Sequence, residues 1–548
     1  MASIERDQPG IYWQSLMGNN GDGIGGNCHR YDVVTGARPD GQHGWFLVDY
    51  GVKFGAGRKG YAAEFASPEG LLVHPGEGGG PEALLLTHAH EDHLGAVRHL
   101  LPLGYRCPPV YARAFTAAML NKSLADAGVE KNRWPEIRIA RTGETVEIAG
   151  ARVSFVAMDH MPGATALHIA SDQASVFHTG DYRFDATLPL GPRADPAVLR
   201  AIGQAGLDMV VSDSTAAPVT DAPVTEAEIA HALERIVADN AGRPVIAGIL
   251  GSQLDRLVSL GRAAKANDRA LVLSGRSLVA NAAVAQAGGI DIEAAAGTPL
   301  LTPRQAAELP AEKVLVVTTG AFAQPNSGLG RASRNQPGAL SITPDTTVVI
   351  AQREIPPVRE AQAAMVARLE ARGATVVTAE RAVAAGYGPI HQSGHAVERD
   401  CRLLYTLLRP RMLAAPVHGN AAQITANGRL ARSVGVPVLA LDRNGAVVRV
   451  APDGARVIGV QPPERIGARE RTDVVRQLPK ASPGQGRDSH FPVPVFSYDR
   501  LDDAGAVVLR SGLETAQGAT RPKRPDASAA PRVAVHHTAA GREGSRSR

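Results

Sequence analysis

Thr87-His88-Ala89-His90-Glu91-Asp92-His93 follows directly on the apolar run Ala83-Leu84-Leu85-Leu86. The seven residues carry three imidazoles and two carboxylates. A strand ending here delivers His88 and His90 at i and i+2, so both side chains leave on one face. The tight run that follows carries Asp92 and His93 to a neighbouring point. Imidazole and carboxylate are ligands for a borderline or hard divalent ion, zinc or manganese in particular. The stretch predicts a metal site at the end of a buried strand.

Other polar residues follow apolar runs in the same way. Val153 to Met158 reads as a strand and leads into Asp159-His160-Met161-Pro162-Gly163. Ala174-Ser175-Val176-Phe177 leads into His178-Thr179-Gly180-Asp181, and Met412 to Val417 leads into His418-Gly419. Nearer the start, Phe46-Leu47-Val48 ends in Asp49-Tyr50-Gly51.

The His-x-His-x-Asp-His spacing resembles the signature of metallo-β-lactamase-fold hydrolases. That resemblance implies an α/β protein built as an αββα sandwich. It also implies that His88, His90 and His160 hold one ion, that Asp92, His93 and His418 hold a second, and that Asp181 bridges them. Asp49 matches the first motif of the family and is expected to orient ligands from behind. Two bridged ions suit attack on phosphorus, and equally acyl or lactone hydrolysis. The signature is shared across those chemistries and does not choose among them.

Spacing narrows the choice. Between Asp181 and His418 lies a stretch long enough for its own core. Thr225-Glu226-Ala227-Glu228 is a capping box that opens an amphipathic helix to about Asp239. Pro244 to Leu250 is a buried-strand run, Leu254 to Ala266 a helix and Ala270 to Leu273 a strand. Val314 to Thr318 and Thr346 to Ala351 continue the alternation, which predicts a parallel, helix-covered sheet. An α/β module inserted before the last histidine resembles the layout of the beta-CASP nucleases.

Within that group the chain resembles ribonuclease J. The landmarks stand in order: Ser212-Asp213-Ser214-Thr215, Gly275-Arg276-Ser277, Val317-Thr318-Thr319-Gly320, His391-Gln392-Ser393-Gly394-His395 and Pro416-Val417-His418-Gly419. The resemblance spans about Gly25 to Val450. It implies that His395 stabilises the transition state or delivers a proton, and that His391, Ser393 and Gly394 bind backbone phosphate. Imidazolium and hydroxyl donors make charge-assisted bonds to phosphate oxygens. Asp92, Asp181 and His395 are thus the catalytic expectations, with Arg256, Arg276 and Ser277 as further phosphate contacts.

The chain also departs from the family. Gly251-Ser252-Gln253-Leu254-Asp255-Arg256 has Gln253 where Asn commonly follows the serine. Ala321-Phe322-Ala323-Gln324-Pro325 replaces a Ser-Gln-Gly-Glu-Pro run, Asn420 replaces Glu after His-Gly, and Ile355-Pro356-Pro357-Val358-Arg359 replaces Ile-Pro-Gly-Asn-Glu. The hydrolytic core is retained while the substrate groove has changed, so end preference and RNA over DNA are left open.

Composition agrees without deciding. A formal net charge of +4 over 548 residues permits a basic groove. Part of that excess belongs to the tail, where Arg521, Lys523, Arg524, Arg532, Arg542, Arg546 and Arg548 face only Asp526 and Glu543. Three scattered cysteines, Cys28, Cys107 and Cys401, give no disulfide framework. The first ten residues lack a signal-peptide pattern, and no apolar run reaches membrane-spanning length, so a soluble cytoplasmic protein is expected.

The chain is expected to divide into residues 1–205 and 363–460 as the metallo-β-lactamase domain and 206–362 as the insert. Residues 461–514 read as a linker with a small C-terminal hairpin, Val493 to Tyr498 and Ala506 to Leu509, and 515–548 as a disordered basic tail. The function expected by resemblance is a metal-dependent RNA phosphodiesterase, a 5′-to-3′ exoribonuclease with endonuclease activity. It would use two divalent ions, zinc with manganese as the alternative, and single-stranded RNA with a 5′-monophosphate end. A DNA-processing beta-CASP nuclease and a small-molecule ester, thioester or lactone hydrolase are the rival readings. Ribonuclease J proteins carry a larger C-terminal domain that supports assembly, so homo-oligomerisation stays open here.

Overall fold

A computed structural model of the chain describes residues 4–19, 24–35, 44–54, 61–354, 358–439, 444–476, 493–501 and 507–510. Two sheets form the sandwich that carries the histidine motifs. One has eight strands, in the order Gly454–Val460, Ala446–Ala451, Gly10–Met17, Cys28–Val34, Gly44–Tyr50, Leu84–Leu85, Val110–Ala112 and Ile137–Ile139. The other has six, in the order Leu413–Val417, Met209–Asp213, Ser175–His178, Thr165–Ala170, Ala151–Ala157 and Thr145–Ile148.

Side chains from both sheets, among them Trp13, Phe46, Val48, Phe155, Val176, Val211 and Val448, make one buried cluster. Each large apolar side chain buried this way contributes roughly 1.5–3 kcal/mol. The apolar runs that precede the polar motifs are therefore what pins the strand ends. Helices Pro196–Gln204, Glu398–Leu408 and Ala421–Ser433 cover the six-stranded sheet, setting Leu199, Leu404 and Leu430 against Phe177, Val210 and Ala414. Helix Ala114–Asp126 covers the other sheet with Leu120 and Leu124. This is the expected αββα architecture.

Register in the six-stranded sheet positions two motif ends together. Met209–Asp213 and Leu413–Val417 run parallel, with Asp213 opposite Val417. Asp213 and His418 therefore emerge from adjacent strand ends. Pro416 lies on the outermost strand of this sheet, where a missing N–H is tolerated.

A third sheet is parallel throughout: Leu300–Leu301, Ala270–Leu273, Val314–Thr319, Val245–Ile249, Thr347–Ile350 and Thr375–Val377. Parallel sheets are covered on both faces, which is why strands such as Val245–Ile249 are apolar without alternation. Helix Glu226–Asp239 starts at the capping box of Thr225 and Glu228. Leu254–Ala266 and Ala270–Leu273 have the bounds read from sequence. Leu254 and Leu257 from this module share a buried cluster with Phe115 and Leu190, so module and sandwich are packed together. Met209–Asp213, past the boundary expected at 205, pairs within the sandwich, and Thr375–Val377, past 362, pairs within the third sheet.

The expected linker after residue 461 is corrected by the structure. Arg465–Arg476 is a strand that pairs with Ala63–Ala66 on one side and Val493–Leu501 on the other. Ile466 and Ala468 are buried, and Arg465 is buried beside Glu64 at 3.5 Å. The expected hairpin is present as Val493–Leu501 paired with Val507–Arg510. Residues 477–492 of the expected linker, the tail 515–548 and the departure at 355–357 lie outside the described residues.

Candidate metal centre

Four chain segments end at one place. His88 Nε2 and His90 Nδ1 lie 3.1 Å apart, and His160 Nε2 lies 3.0 Å from His90 Nδ1. Asp181 Oδ2 is 3.6 Å from both His88 Nε2 and His160 Nε2. On its other side, Asp181 Oδ1 is 3.2 Å from His93 Nε2, and His418 Nε2 is 3.1 Å from Asp92 Oδ2. The ligand atoms of His88, His90, His160 and Asp181 all lie within 4.8 Å of one another, and so do those of Asp92, His93, Asp181 and His418. Asp181 belongs to both groups. Both of its carboxylate oxygens are buried without a hydrogen-bond partner among the described residues, which is costly unless a cation completes them. The donor set and the orphaned carboxylate fit a pair of divalent ions.

His88, His93 and His160 are each turned by a contact on the far side, His88 Nδ1 by the Thr87 hydroxyl at 3.1 Å. His93 Nδ1 donates to Asp49 Oδ2 at 2.7 Å, leaving Nε2 for the centre. Asp49 also accepts the backbone N–H and the hydroxyl of Thr87, each at 2.8 Å. His160 Nδ1 donates to the Gly394 carbonyl at 2.7 Å, while His418 Nδ1 lies between Asp181 Oδ1 at 3.0 Å and Asp213 Oδ1 at 3.1 Å. A donor on the outer nitrogen fixes the tautomer and orients the inner lone pair. Asp49 and His418 both hold left-handed backbone, φ 58° and 55°, a strain of order 1–3 kcal/mol each that a functional site sustains.

Two glycines make the approach. A Cβ on Gly51 would lie 1.8 Å from the Asp92 carbonyl oxygen, so only glycine lets the Asp92-His93 turn seat on the Asp49 strand. A Cβ on Gly394 would lie 2.9 Å from His160 Cε1.

Charge follows burial and pairing. Burial, with neighbouring imidazoles, holds His88 well below the usual histidine range and His160 down to about 3. His93 goes the other way: against burial, Asp181, Asp49 and Asp92 push it up to about 10. His418 is likewise raised against burial, chiefly by Asp181. Asp181 and Asp92 are lowered, since the imidazoles outweigh burial. The cluster thus gathers positive charge around its carboxylates, as a cation site does.

His395 stands at the edge of the centre, its Nδ1 2.8 Å from Asp213 Oδ2 and 3.6 Å from Asp181 Oδ2. Burial works against its charge, yet Asp213 and Asp181 raise its pKa. Asp213 carries no role in the sequence expectations although it grips both His395 and His418. Its signal was present: it ends the apolar strand Met209–Asp213 just as the other polar groups end theirs. Asn27, with Nδ2 3.0 Å from His93 Nε2, gave no such signal.

The expected phosphate contacts divide. Ser393 Oγ accepts the His395 N–H at 3.3 Å, and His391 lies against Gln352. Arg276 and Ser277 stand exposed at the first turn of helix Arg276–Ala287. Arg256 is a correction. Its guanidinium is buried, holding Glu226 at 2.8 and 3.0 Å and the Ile390 carbonyl at 2.6 Å, so it faces protein and not the groove.

Residues 45–237 match the Beta-lactamase superfamily domain, and residues 241–369 match the Ribonuclease J, beta-CASP domain. Ribonuclease J of Sinorhizobium meliloti is 32% identical over 429 residues, covering 78% of this chain and 73% of that protein. The chain belongs to the ribonuclease J family. Ribonuclease J of Mycobacterium tuberculosis is 32% identical over 385 residues, 70% of this chain and 66% of that protein. Ribonuclease J 1 of Streptococcus pyogenes is 27% identical over 386 residues, 69% of this chain and 65% of that protein. A crystal structure of an Enterococcus faecalis protein of unknown function shares the fold, with TM-score 0.54 and 16% identity over 80% of this chain and 100% of its own. The chain is therefore a ribonuclease J-like nuclease on a metallo-β-lactamase fold with an inserted beta-CASP domain, a fold that implies divalent metal ions. Among the described residues, no helix is long and apolar enough to cross a membrane.

Proposed function

We propose that the protein hydrolyses single-stranded RNA with two divalent cations, zinc or alternatively manganese, as a 5′-to-3′ exonuclease acting on 5′-monophosphate ends with some endonuclease activity. The observation that carries this is Asp181, whose two partnerless oxygens divide the histidine cluster into two sets of ligands in a ribonuclease J-family chain. His88, His90 and His160 would hold one ion and Asp92, His93 and His418 the other, with Asp181 between.

When bound, the ions supply Lewis acidity, activating water and neutralising charge on phosphate oxygens. The protein's part is orientation and proton control. Asp49 and Gly394 keep the outer nitrogens of His93 and His160 occupied, so the inner ones face the centre, and Asp213 lies beside His418. His395, cationic beside Asp213, is placed to donate to a phosphate oxygen as negative charge grows there, the kind of preorganised donor that most favours the transition state. Ser393 and Gly394 shape that loop, and His391, Arg276 and Ser277 would meet the RNA backbone further along the groove. Three buried free cysteines support a reducing, cytoplasmic setting. Homo-oligomer formation is compatible with the strand-paired C-terminal hairpin.

The test is cleavage of matched 5′-monophosphorylated RNA and DNA oligomers with added zinc or manganese, beside His90→Ala. Mononucleotide release from RNA by the unmodified protein alone supports the proposal. Equal cutting of DNA would move the enzyme to DNA processing, and no cutting of either with metal bound would favour a small-molecule substrate.

A further inference from the structure

The segment His391-Gln392-Ser393-Gly394-His395 joins two parts of the molecule. Its last residue lies on the histidine cluster, while His391 lies against the end of the inserted strand Thr347–Ile350. There Gln352 Nε2 is 3.4 Å from His391 Nε2. Gln352 is buried, and its Oε1 accepts from Gln253 Nε2 at 3.4 Å. Gln253 Oε1 in turn accepts the backbone N–H of Leu250 at 3.1 Å.

This chain of amides has a direction. A backbone N–H only donates, so Gln253 gives its oxygen to Leu250 and its NH2 group to Gln352. Gln352 then gives its oxygen to Gln253 and its NH2 group to His391. An imidazole nitrogen that receives an N–H carries no proton, so the ring proton of neutral His391 sits on Nδ1. Nδ1 is buried and has no partner among the described residues. Neutrality has a separate cause: burial first, then the nearby guanidiniums of Arg256, Arg183 and Arg353, hold His391 down to about 3.

We infer that Gln253 and Gln352 are positioning residues that fix His391 as a neutral Nδ1–H donor toward a backbone oxygen of the bound RNA strand. This rests on the RNA-nuclease reading above. Gln253, where the family commonly has Asn, sets the direction of the relay, so a departure in the groove acquires a role. The two histidines of the segment then divide the work. His395 supplies charge at the reacting phosphate, and His391 supplies an oriented, uncharged donor that binds without titrating near neutrality.

The test pairs a spectroscopic readout with kinetics. Protein labelled with 15N-histidine is examined without RNA, and the His391 ring pattern is identified by its loss in His391→Ala. The unmodified protein should show the Nδ1–H tautomer; Gln352→Leu should show a mixture, and Gln352→Glu, whose carboxylate accepts a proton, should show protonation at Nε2. On a 5′-monophosphorylated RNA oligomer, Gln352→Leu should raise KM about fivefold, the scale of one neutral hydrogen bond, with kcat changed less than about twofold. Gln253→Met, at a half-buried position, should shift both readouts the same way and serves if Gln352→Leu fails to fold. An Nε2–H tautomer in the unmodified protein, or glutamine variants that leave tautomer and KM unchanged, would overturn the inference. Absence of RNA cleavage by the unmodified protein, with the Nδ1–H tautomer present, would overturn the RNA substrate and not the relay.

Discussion

Asp49→Asn exchanges one oxygen for an NH2 group at a fully buried site that touches no proposed ion. Asn tolerates left-handed backbone, so the φ of 58° at this position is no obstacle. The amide oxygen can still accept the Thr87 N–H, as Asp49 Oδ1 does at 2.8 Å. Its NH2 group must then face the Thr87 hydroxyl and His93 Nδ1, which now meet a carboxylate oxygen at 2.8 and 2.7 Å. A donor there forces His93 to accept at Nδ1, which moves the ring proton to Nε2, the nitrogen aimed at the centre. Loss of such an orienting partner costs about 10–100-fold in metal affinity, or about 1.4–2.8 kcal/mol. The loss should fall chiefly on the ion held by Asp92, His93 and His418, because His93 meets Asp49 directly, whereas His88 reaches it only through the Thr87 hydroxyl at 3.1 Å and His160 is held by Gly394. The assay is metal content after dialysis against a graded chelator, with RNA cleavage measured on the same samples. One ion should be retained as in the unmodified protein and the other lost at lower chelator concentration, with activity following the second. Two ions held with unchanged affinity would refute the orienting role.

Three further outcomes are expected. Asp213→Asn removes the charge that helps raise His395, so the rate, which falls as pH rises through the His395 pKa, should begin to fall at lower pH; an unmoved basic limb in the pH–rate profile would exclude His395 as the cationic donor. Arg256→Ala leaves Glu226 buried without its partner and should cost about 3–5 kcal/mol in urea unfolding; weaker RNA binding at unchanged stability would place Arg256 in the groove after all. His93 and His418 must shed their protons to ligate, and since both are raised in the metal-free protein, His93 up to about 10, calorimetric metal titration in two buffers at about pH 7.5 should show net proton release on binding. No proton release would contradict the carboxylate cage around His93.

Much of the molecule was legible because its polar groups sit at the ends of apolar strands. Leu84–Leu85 before His88, Ser175–His178 before Asp181 and Leu413–Val417 before His418 are local patterns, and the structure brings their ends together. The helix at Thr225 was legible for the same reason, since a capping box is written within four residues. Pairings across the chain were not. Arg465–Arg476 is rich in charge and flanked by proline-containing sequence, so it reads as linker until Ala63–Ala66 supplies a partner strand. Arg256 looks like any exposed arginine until Glu226, 30 residues away, is folded against it. Asp213 differs again: its strand end was visible, but its grip on His395, 182 residues on, depends on tertiary register alone.

The central claim is that two ions around Asp181 perform RNA hydrolysis, and one titration tests it directly. Chelator-treated protein is given zinc, or separately manganese, in fractional equivalents while cleavage of a 5′-monophosphorylated RNA oligomer is followed and bound metal is counted. Activity should stay low through the first equivalent and rise as the second fills, reaching its plateau at about two ions per chain. Full activity at one ion, or RNA cleavage that persists in the metal-free protein, would contradict the dinuclear account.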